Sequence, residues 1–267
     1  MVIWSDNIQE YLAGLDAKDH LSNAGTIYYL KELSDENATY PAGEGVNLLA
    51  RIGDAVAVIN GMSLEIECPS VEIWLFGDNG QDMTDLVNCL FHKYAGVSCE
   101  FHCFNQDVVD FLEQKGAETY DETLEYVGHG LKFNQADDIL KLTEEHFEVL
   151  AQSEVEDIAM YCGELPLSEG NYAVYGKMEC DSPITICTLE FNHNGFADLV
   201  EPIWVYTSTN CRRNGLAKRC IGHALSNVDE NVLVMYHMES ENQSSIKLAE
   251  SLGLIFNNKC VSLAVDL

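Results

Sequence analysis

The chain contains two stretches built on one plan, and this internal repeat limits the fold more than any other sequence feature. The matched segments are 71–77 and 200–206 as first strands, 83–94 and 216–228 as helices, and 97–104 and 232–238 as second strands. Apolar runs of strand length alternating with helical periodicity predict a mixed α/β fold, with helices covering a sheet.

Each copy then ends in the same way. The pairs Asn105-Gln106 and Asn242-Gln243 each lead into a short helical pattern that stops at a glycine, which suits a helix C-cap. Strand-like segments at 123–127 and 261–265 close the two copies. We therefore predict two domains, 1–130 and 131–267, although two unrelated α/β units could give a similar pattern.

Positive charge is concentrated at one place in an acidic chain. The formal net charge is −30, yet three of the four arginines are Arg212, Arg213 and Arg219. They follow the apolar strand pattern 203–207, and the helical pattern that begins at Leu216 starts among them. A strand, a glycine-bearing turn and a helix N-terminus together favour an anion, because free N–H groups and the helix dipole point at it. Pairing of the arginines with surface carboxylates is the alternative.

The first copy differs at the matching turn. It carries Asp78 and Asp82 and no arginine. Because two carboxylates repel an anion, this copy is predicted to lack a diphosphate site.

Composition narrows the class of protein. The chain has 267 residues, 47% of them apolar, and no apolar run long enough to span a bilayer. Its acidity disfavours nucleic acid and anionic membrane as partners. Ten cysteines without a Cys-x-x-Cys pair, and no recognisable secretory leader, favour a cytoplasmic protein with reduced thiols. Strand alternation would place Cys99 and Cys103 on the face opposite His102, so no metal is expected.

Two motifs resemble those of the GNAT superfamily of N-acetyltransferases. The first, Arg-x-x-Gly-x-Gly/Ala, stands here as Arg212, Gly215 and Ala217. The second, Asn-x-x-Ala/Ser-x-x-Leu, stands here as 242–248 and is followed by Leu-Gly-Leu at 252–254. The C-terminal half is similar to the branch of glycine N-acyltransferases. The whole chain resembles a tandem GNAT protein whose N-terminal copy is degenerate, so that each domain would hold a mixed, mostly antiparallel sheet flanked by helices.

The resemblance implies acetyl-CoA as co-substrate, bound where the fourth and fifth strands of the second domain splay apart. The pantetheine arm would bond the fourth strand like an added strand, and the diphosphate would accept N–H bonds from the turn. The implied cofactor-binding residues are Val205, Tyr206, Thr207, Arg212, Arg213, Asn214, Gly215, Leu216, Ala217, Asn242 and Ser245. Asn242 could equally be a helix N-cap.

The catalytic groups are less well defined. The resemblance implies a carboxylate base on the third or fourth strand, and Glu201 and Glu190 are the candidates, although both could be ordinary surface acids. The Val205 amide would stabilise the oxyanion. Where the family often has a tyrosine as acid for the thiolate, this chain has Ala249. The candidates to replace it are Tyr236, Tyr206 and His237.

The expected function is transfer of an acetyl group from acetyl-CoA to a primary amine. The acidic surface favours a cationic acceptor, such as a polyamine, an amino-sugar antibiotic or a basic peptide. Two alternatives stay open, namely an amino-acid N-acyltransferase that uses longer acyl-CoA and a non-catalytic acyl-CoA sensor. A third alternative, an unrelated α/β binding protein, holds only if CoA does not bind. The chain could also form a homodimer.

Overall fold

A computed structural model describes residues 2–5, 48–60, 70–150, 171–179, 182–193 and 198–267. The chain divides into two compact units. The first comprises the residues up to Leu124 together with Asn258–Leu267, and the second comprises Glu125–Asn257. In the described part, no helix combines the length and the apolar character that crossing a bilayer requires.

The first unit is a mixed sheet with two helices. Its strands are β1 (Ile3–Ser5), β2 (Leu48–Ile52), β3 (Ala55–Asn60), β4 (Ser70–Phe76), β5 (Ser98–Cys103), the start of β6 (Glu118–Gly128) and most of β12 (Ile255–Asp266), and its helices are α1 (Gly80–Lys93) and α2 (Gln106–Gln114). The strand order is β1-β2-β3-β4-β5-β12-β6. β4 and β5 are parallel, and the other pairs from β1 to β12 are antiparallel.

The core of this unit follows from the apolar periodicities. Helix α1 buries Met83, Leu86, Val87 and Leu90, the spacing that puts one face of a helix on a sheet. They pack with fully buried strand residues such as Ile73. Burying a side chain of this size contributes about 1.5–3 kcal/mol, so this face fixes the helix on the sheet.

The second unit repeats the arrangement. Its elements are the end of β6, β7 (Leu140–Lys141), α3 (Glu144–Leu150), β8 (Tyr172–Glu179), β9 (Ser182–His193), β10 (Asp198–Thr207), α4 (Leu216–Leu225), β11 (Leu233–Glu239), α5 (Gln243–Leu252) and the start of β12. The strand order runs from β6 through β11, β10, β9 and β8 to β7. β10 and β11 are parallel, whereas the pairs β10–β9, β9–β8 and β8–β7 are antiparallel.

The predicted mixed, mostly antiparallel sheets flanked by helices are confirmed, and β4, α1, β5 and α2 correspond in order to β10, α4, β11 and α5. The last strand of the chain does not lie where the sequence predicted. Residues Val261–Asp266 pair with β5 of the first unit, whereas Glu125–Gly128 lie in the second. The division into domains 1–130 and 131–267 stays a prediction.

Candidate acyl-CoA site

Strands β10 and β11 part soon after they begin. Their parallel pairing covers only Leu199↔Leu233 and Val200↔Val234, although β10 continues to Thr207. The register of β10 with β9 also shifts between Pro202 and Trp204, as at a β-bulge. A cleft of about 910 Å³ opens beyond this point.

Most of the predicted cofactor-binding residues line this cleft. They are Val205, Tyr206, Thr207, Arg212, Arg213, Gly215, Leu216, Ala217, Asn242 and Ser245. Asn214 does not line it, and its amide donates to the Cys211 carbonyl within the loop. The cleft is also lined by residues that were not among the predicted cofactor-binding residues, namely Trp204, Lys218, Gln243, Ser244, Lys247, Leu248 and Ser251. Lys218 directly precedes Arg219 in the cluster of positive charge and could have been included on that ground.

The edge of β10 presents peptide groups to the cleft. The Ser208 N–H donates to the Ile184 carbonyl at 2.9 Å, continuing the antiparallel ladder with β9. Bonded pairs alternate along such a ladder, so the N–H and C=O groups of Val205 and Thr207 point away from β9. The Thr207 carbonyl accepts a bond from Arg212 Nε at 3.0 Å. Val205 is thereby placed to offer its peptide groups to a ligand in the cleft.

The loop after β10 contains several backbone N–H groups that can donate hydrogen bonds. Arg213 has φ +64° and Gly215 has φ +73°, and Gly215 caps α4 without any side-chain hydrogen bond. The Arg219 N–H donates to the Gly215 carbonyl, so the first turn of α4 leaves its leading N–H groups without helical partners. Within the described residues, the amides from 213 to 218 meet no acceptor. Left-handed turns of this kind form concave anion sites.

The arginines divide into two groups. Arg219 forms an ion pair with Asp138, which Lys177 also contacts at 2.9 Å, and Arg219 does not line the cleft. Arg212 and Arg213 do line the cleft, and neither forms an ion pair with a carboxylate of the described residues. The predicted alternative, in which these two arginines neutralise surface acids, is therefore not observed in this part of the chain.

The opposite wall of the cleft is built by α5 and β11. Asn242 Oδ1 accepts from the Ser245 N–H at 3.1 Å, so Asn242 caps α5 while also lining the cleft. The Tyr236 side chain lies beside Ser245, whose hydrogen bond lowers its pKa, but burial has the larger effect and leaves the pKa of Tyr236 raised. The tyrosine therefore carries its proton at neutral pH.

The two predicted carboxylates face each other on neighbouring strands but do not line the cleft. Glu201 on β10 is in register with Glu190 on β9. Glu190 accepts a hydrogen bond from Tyr172 at 3.0 Å. Strand β9 continues beyond Glu190 to His193, and Glu201 lies inside β10 rather than at its start. Both side chains are therefore held within the sheet, not at a strand end as the sequence suggested.

Glu201 belongs to a buried polar cluster that sequence reasoning missed. His237 Nδ1 lies 2.7 Å from Glu201 Oε1, and its Nε2 lies 3.0 Å from Glu125 Oε2. Asn257 donates to the other oxygen of Glu125. Burial alone would lower the pKa of His237, but the two carboxylates outweigh it and raise the pKa to about 10. Nothing in the local sequence marks Glu125, which reaches the cluster through strand pairing.

The corresponding place in the first unit is closed. Strands β4 and β5 stay paired from Ser70↔Ser98 to Leu75↔Cys103. Asn79 caps α1 and accepts from the N–H groups of Gln81 and Asp82 at 3.0 and 3.2 Å. The donors that an anion would need are thus partly used.

The fold of this chain is similar to that of several solved GNAT N-acetyltransferases. A tandem GNAT protein from the clavulanic acid biosynthesis pathway, solved without AcCoA, matches with a TM-score of 0.60 and 11% identity over 100% of this chain and 98% of its own. A GCN5-related N-acetyltransferase from Sphaerobacter thermophilus gives 0.54 and 10% over 99% and 95%. A GNAT-family acetyltransferase from Colwellia psychrerythraea gives 0.51 and 10% over 99% and 99%.

The chain therefore has a tandem GNAT fold, as its sequence predicted. No protein-family model and no curated protein sequence matches it. The similarity to the glycine N-acyltransferase branch stays a prediction. Over the residues described, no group of three or more His, Cys, Asp or Glu side chains could hold a metal ion.

Proposed function

We propose that the protein is an acyl-CoA-dependent N-acyltransferase that binds its donor in the cleft of the second unit and transfers an acetyl group to a primary amine. The observation that carries this proposal is the run of amides from 213 to 218, which meet no acceptor among the described residues and lie next to Arg212 and Arg213, at the end of a cleft between splayed strands. A diphosphate fits this donor set because it offers many acceptor oxygens and negative charge.

The free-energy contributions of the individual groups indicate which of them decide the affinity for CoA. A hydrogen bond to a charged group contributes about 1.5–3 kcal/mol, whereas a helix dipole contributes about 0.3–1 kcal/mol. The loop amides and the arginine side chains should therefore dominate. The left-handed conformation of Arg213 supports the same proposal, because a non-glycine residue in that region costs about 1–3 kcal/mol and tends to persist at functional sites.

The chemistry follows from the two walls of the cleft. The amine nitrogen attacks the thioester carbonyl, and the Val205 N–H would stabilise the oxyanion. The carbon–sulfur bond then breaks, and Tyr236 would give its proton to the departing thiolate. Glu190 and Glu201 are the candidate bases, and either would take the proton of the amine through a water molecule. These roles are proposals that the geometry is compatible with.

The acceptor is proposed to be a primary amine with further positive charge, because the chain as a whole is strongly acidic. Turnover confined to neutral or acidic amines would contradict this. A better rate with longer acyl donors would favour the amino-acid N-acyltransferase, and tight CoA binding with no turnover would favour the sensor. The cytoplasmic location and the homodimer stay predictions.

A thermal-shift measurement with CoA and acetyl-CoA tests the donor site. At one hundred times its dissociation constant, a ligand adds about 2.7 kcal/mol of stability. For a chain of this size we expect a rise of several degrees, at roughly 2–4 °C per kcal/mol. Arg213→Glu and Gly215→Asp should abolish the rise, because each places a carboxylate among the donors.

The control variants distinguish the effect of a carboxylate in the donor site from a general loss of folding. Gly116 has a left-handed φ of +95° and, like Gly215, has no atom within 4 Å of the position that a Cβ would take, so Gly116→Asp reproduces the strain in the first unit. It should keep the shift, as should a change of Asp78 or Asp82. A shift that is lost through the first-unit variants, and kept in Gly215→Asp, would mean that the donor binds elsewhere.

A further inference from the structure

The side chain of Glu201 occupies the point at which β10 and β11 separate. Backbone pairing stops at Val200↔Val234, and Glu201 is the next residue of β10. Its Oε1 lies 3.3 Å from the backbone nitrogen of His237 and 2.7 Å from the imidazole Nδ1. One carboxylate oxygen thus takes the N–H of β11 that a neighbouring strand's carbonyl would otherwise accept.

The other side of His237 is fixed as well. Its Nε2 contacts Glu125 at 3.0 Å, and Glu125 is 4% exposed and is bonded by Asn257. The imidazole is therefore held between two carboxylates on different strands and cannot turn away. This makes the span from β10 to β11 across Glu201 and His237 a rigid one.

The repeat offers an internal comparison. Glu72 and His102 of the first unit occupy the positions of Glu201 and His237, and Glu72 Oε1 lies 3.0 Å from His102 Nε2. The other ring nitrogen of His102, Nδ1, pairs with the Ser262 hydroxyl at 2.9 Å, so this imidazole lies between a carboxylate and a serine rather than between two carboxylates. The backbone ladder continues past this level, through Trp74↔His102 to Leu75↔Cys103. A glutamate and a histidine thus occupy the same positions in both units, but β4 and β5 stay paired there whereas β10 and β11 separate.

We propose that Glu201 is a positioning residue that holds β10 and β11 apart, so that the bond from the His237 N–H to its carboxylate sets the opening of the cleft. A buried N–H must have an acceptor, and a side chain that supplies one removes the need for the strands to pair. The proposal relies on the proposed function only for the identity of the ligand in the cleft. It assigns to Glu201 a role in binding the donor, which does not depend on whether the same carboxylate also removes a proton.

Calorimetric titration with CoA, together with crystal structures of the variants, tests this role. Glu201→Ala should weaken CoA binding about tenfold or more, since a hydrogen bond to a charged group commonly contributes that much. In its structure, the ladder of β10 and β11 should extend past Val200↔Val234. Glu201→Asp keeps the charge but is one methylene shorter, and it should also bind CoA more weakly.

Two variants serve as controls. Glu201→Gln retains an oxygen that can accept from the His237 N–H, so it should keep CoA affinity close to that of the original protein. A base role alone predicts the reverse pattern, with normal CoA affinity in all three variants and a low kcat in Glu201→Gln. Glu72→Ala, the matched change in the first unit, should leave CoA affinity unaltered.

The outcomes distinguish the two proposals. Normal CoA affinity in both Glu201→Ala and Glu201→Asp, with a ladder that still ends at Val200↔Val234, would overturn the positioning role. If the unmodified protein does not bind CoA, the proposed function fails, and the length of the ladder in Glu201→Ala still decides whether this carboxylate holds the strands apart.

Discussion

Among single residues, Tyr236 and Ala249 bear most directly on how the thiolate of the proposed reaction would receive a proton. Ala249 is fully buried on α5, so the position at which the family often has a tyrosine offers no acid. Tyr236 lines the cleft from β11, beside Ser245, and burial holds its pKa above the ordinary value. A phenol that keeps its proton until the thiolate leaves is suited to this step.

Tyr236→Phe should lower kcat by about a hundredfold, the lower end of the usual range for a general acid, with little change in CoA affinity. The removal of one hydroxyl leaves the ring and its packing in place. Steady-state kinetics with acetyl-CoA and an accepted amine would measure the effect. Tyr206→Phe is the matched control, because Tyr206 also lines the cleft. A larger loss of kcat in that variant would transfer the role to Tyr206.

At the level of secondary structure, the short helices α2 and α5 both begin at an asparagine, and this residue can serve as an N-cap and also contact a ligand. Asn105 Oδ1 accepts from the Asp107 N–H at 3.0 Å, and Asn242 Oδ1 accepts from the Ser245 N–H at 3.1 Å. Both asparagines are N-caps, but only Asn242 also lines the cleft. The cap reading of Asn242 is confirmed, and contact with the pantetheine stays a prediction.

Asn105→Ala and Asn242→Ala should each reduce the free energy of unfolding by about 1 kcal/mol, the usual value of an N-cap. Chemical denaturation would measure this loss. Only Asn242→Ala should also weaken CoA binding, because Asn242 alone of the two lines the cleft. Equal CoA affinity in the two variants would leave Asn242 with the capping role alone.

The elements show which features the sequence could predict. Helix α4 and strand β11 lie within a few residues of the predicted 216–228 and 232–238, since apolar periodicity is local. The glycines expected at helix ends, Gly116 and Gly253, have φ +95° and +86°. The turn between β10 and α4 was also predictable, since its residues are consecutive in sequence, and the binding of an anion there stays a prediction.

Features that depend on strand pairing were not predictable. Glu125 meets His237 across 112 residues of sequence, and only the position of β6 beside β11 brings them together. For the same reason, the sequence could not show that the last strand closes the first unit. An apolar run predicts a strand but does not say which sheet it joins.

For the whole molecule, the excess of acid makes the few buried positive charges important for stability. His237 is the clearest case, since its side chain is 17% exposed and is flanked by two carboxylates. Its pKa is about 10 in the folded protein, against an ordinary value of 6.5. Below about pH 6.5, His237 is charged in both the folded and the unfolded state, and its full contribution to stability is present.

Stability should therefore fall as the pH rises from about 6.5 to about 10, because the folded protein keeps a proton that the unfolded chain has lost. One such group can contribute a slope of up to about 1.4 kcal/mol per pH unit. Denaturation curves at several pH values would measure the slope. His237→Gln should flatten it, and Glu125→Gln should reduce it. A slope that is the same in both variants and in the unmodified protein would contradict the charged state of His237.

The open loop between β10 and α4 also affects how the protein must be handled. Because this loop has backbone donors without partners among the described residues and lies next to two arginines, we expect it to attract small oxyanions that are abundant in solution. Sulfate and phosphate buffers should therefore compete with the nucleotide and lower its apparent affinity. Purification and assay in a chloride medium, with a buffer that is neither an oxyanion nor a primary amine, would expose the full strength of the site.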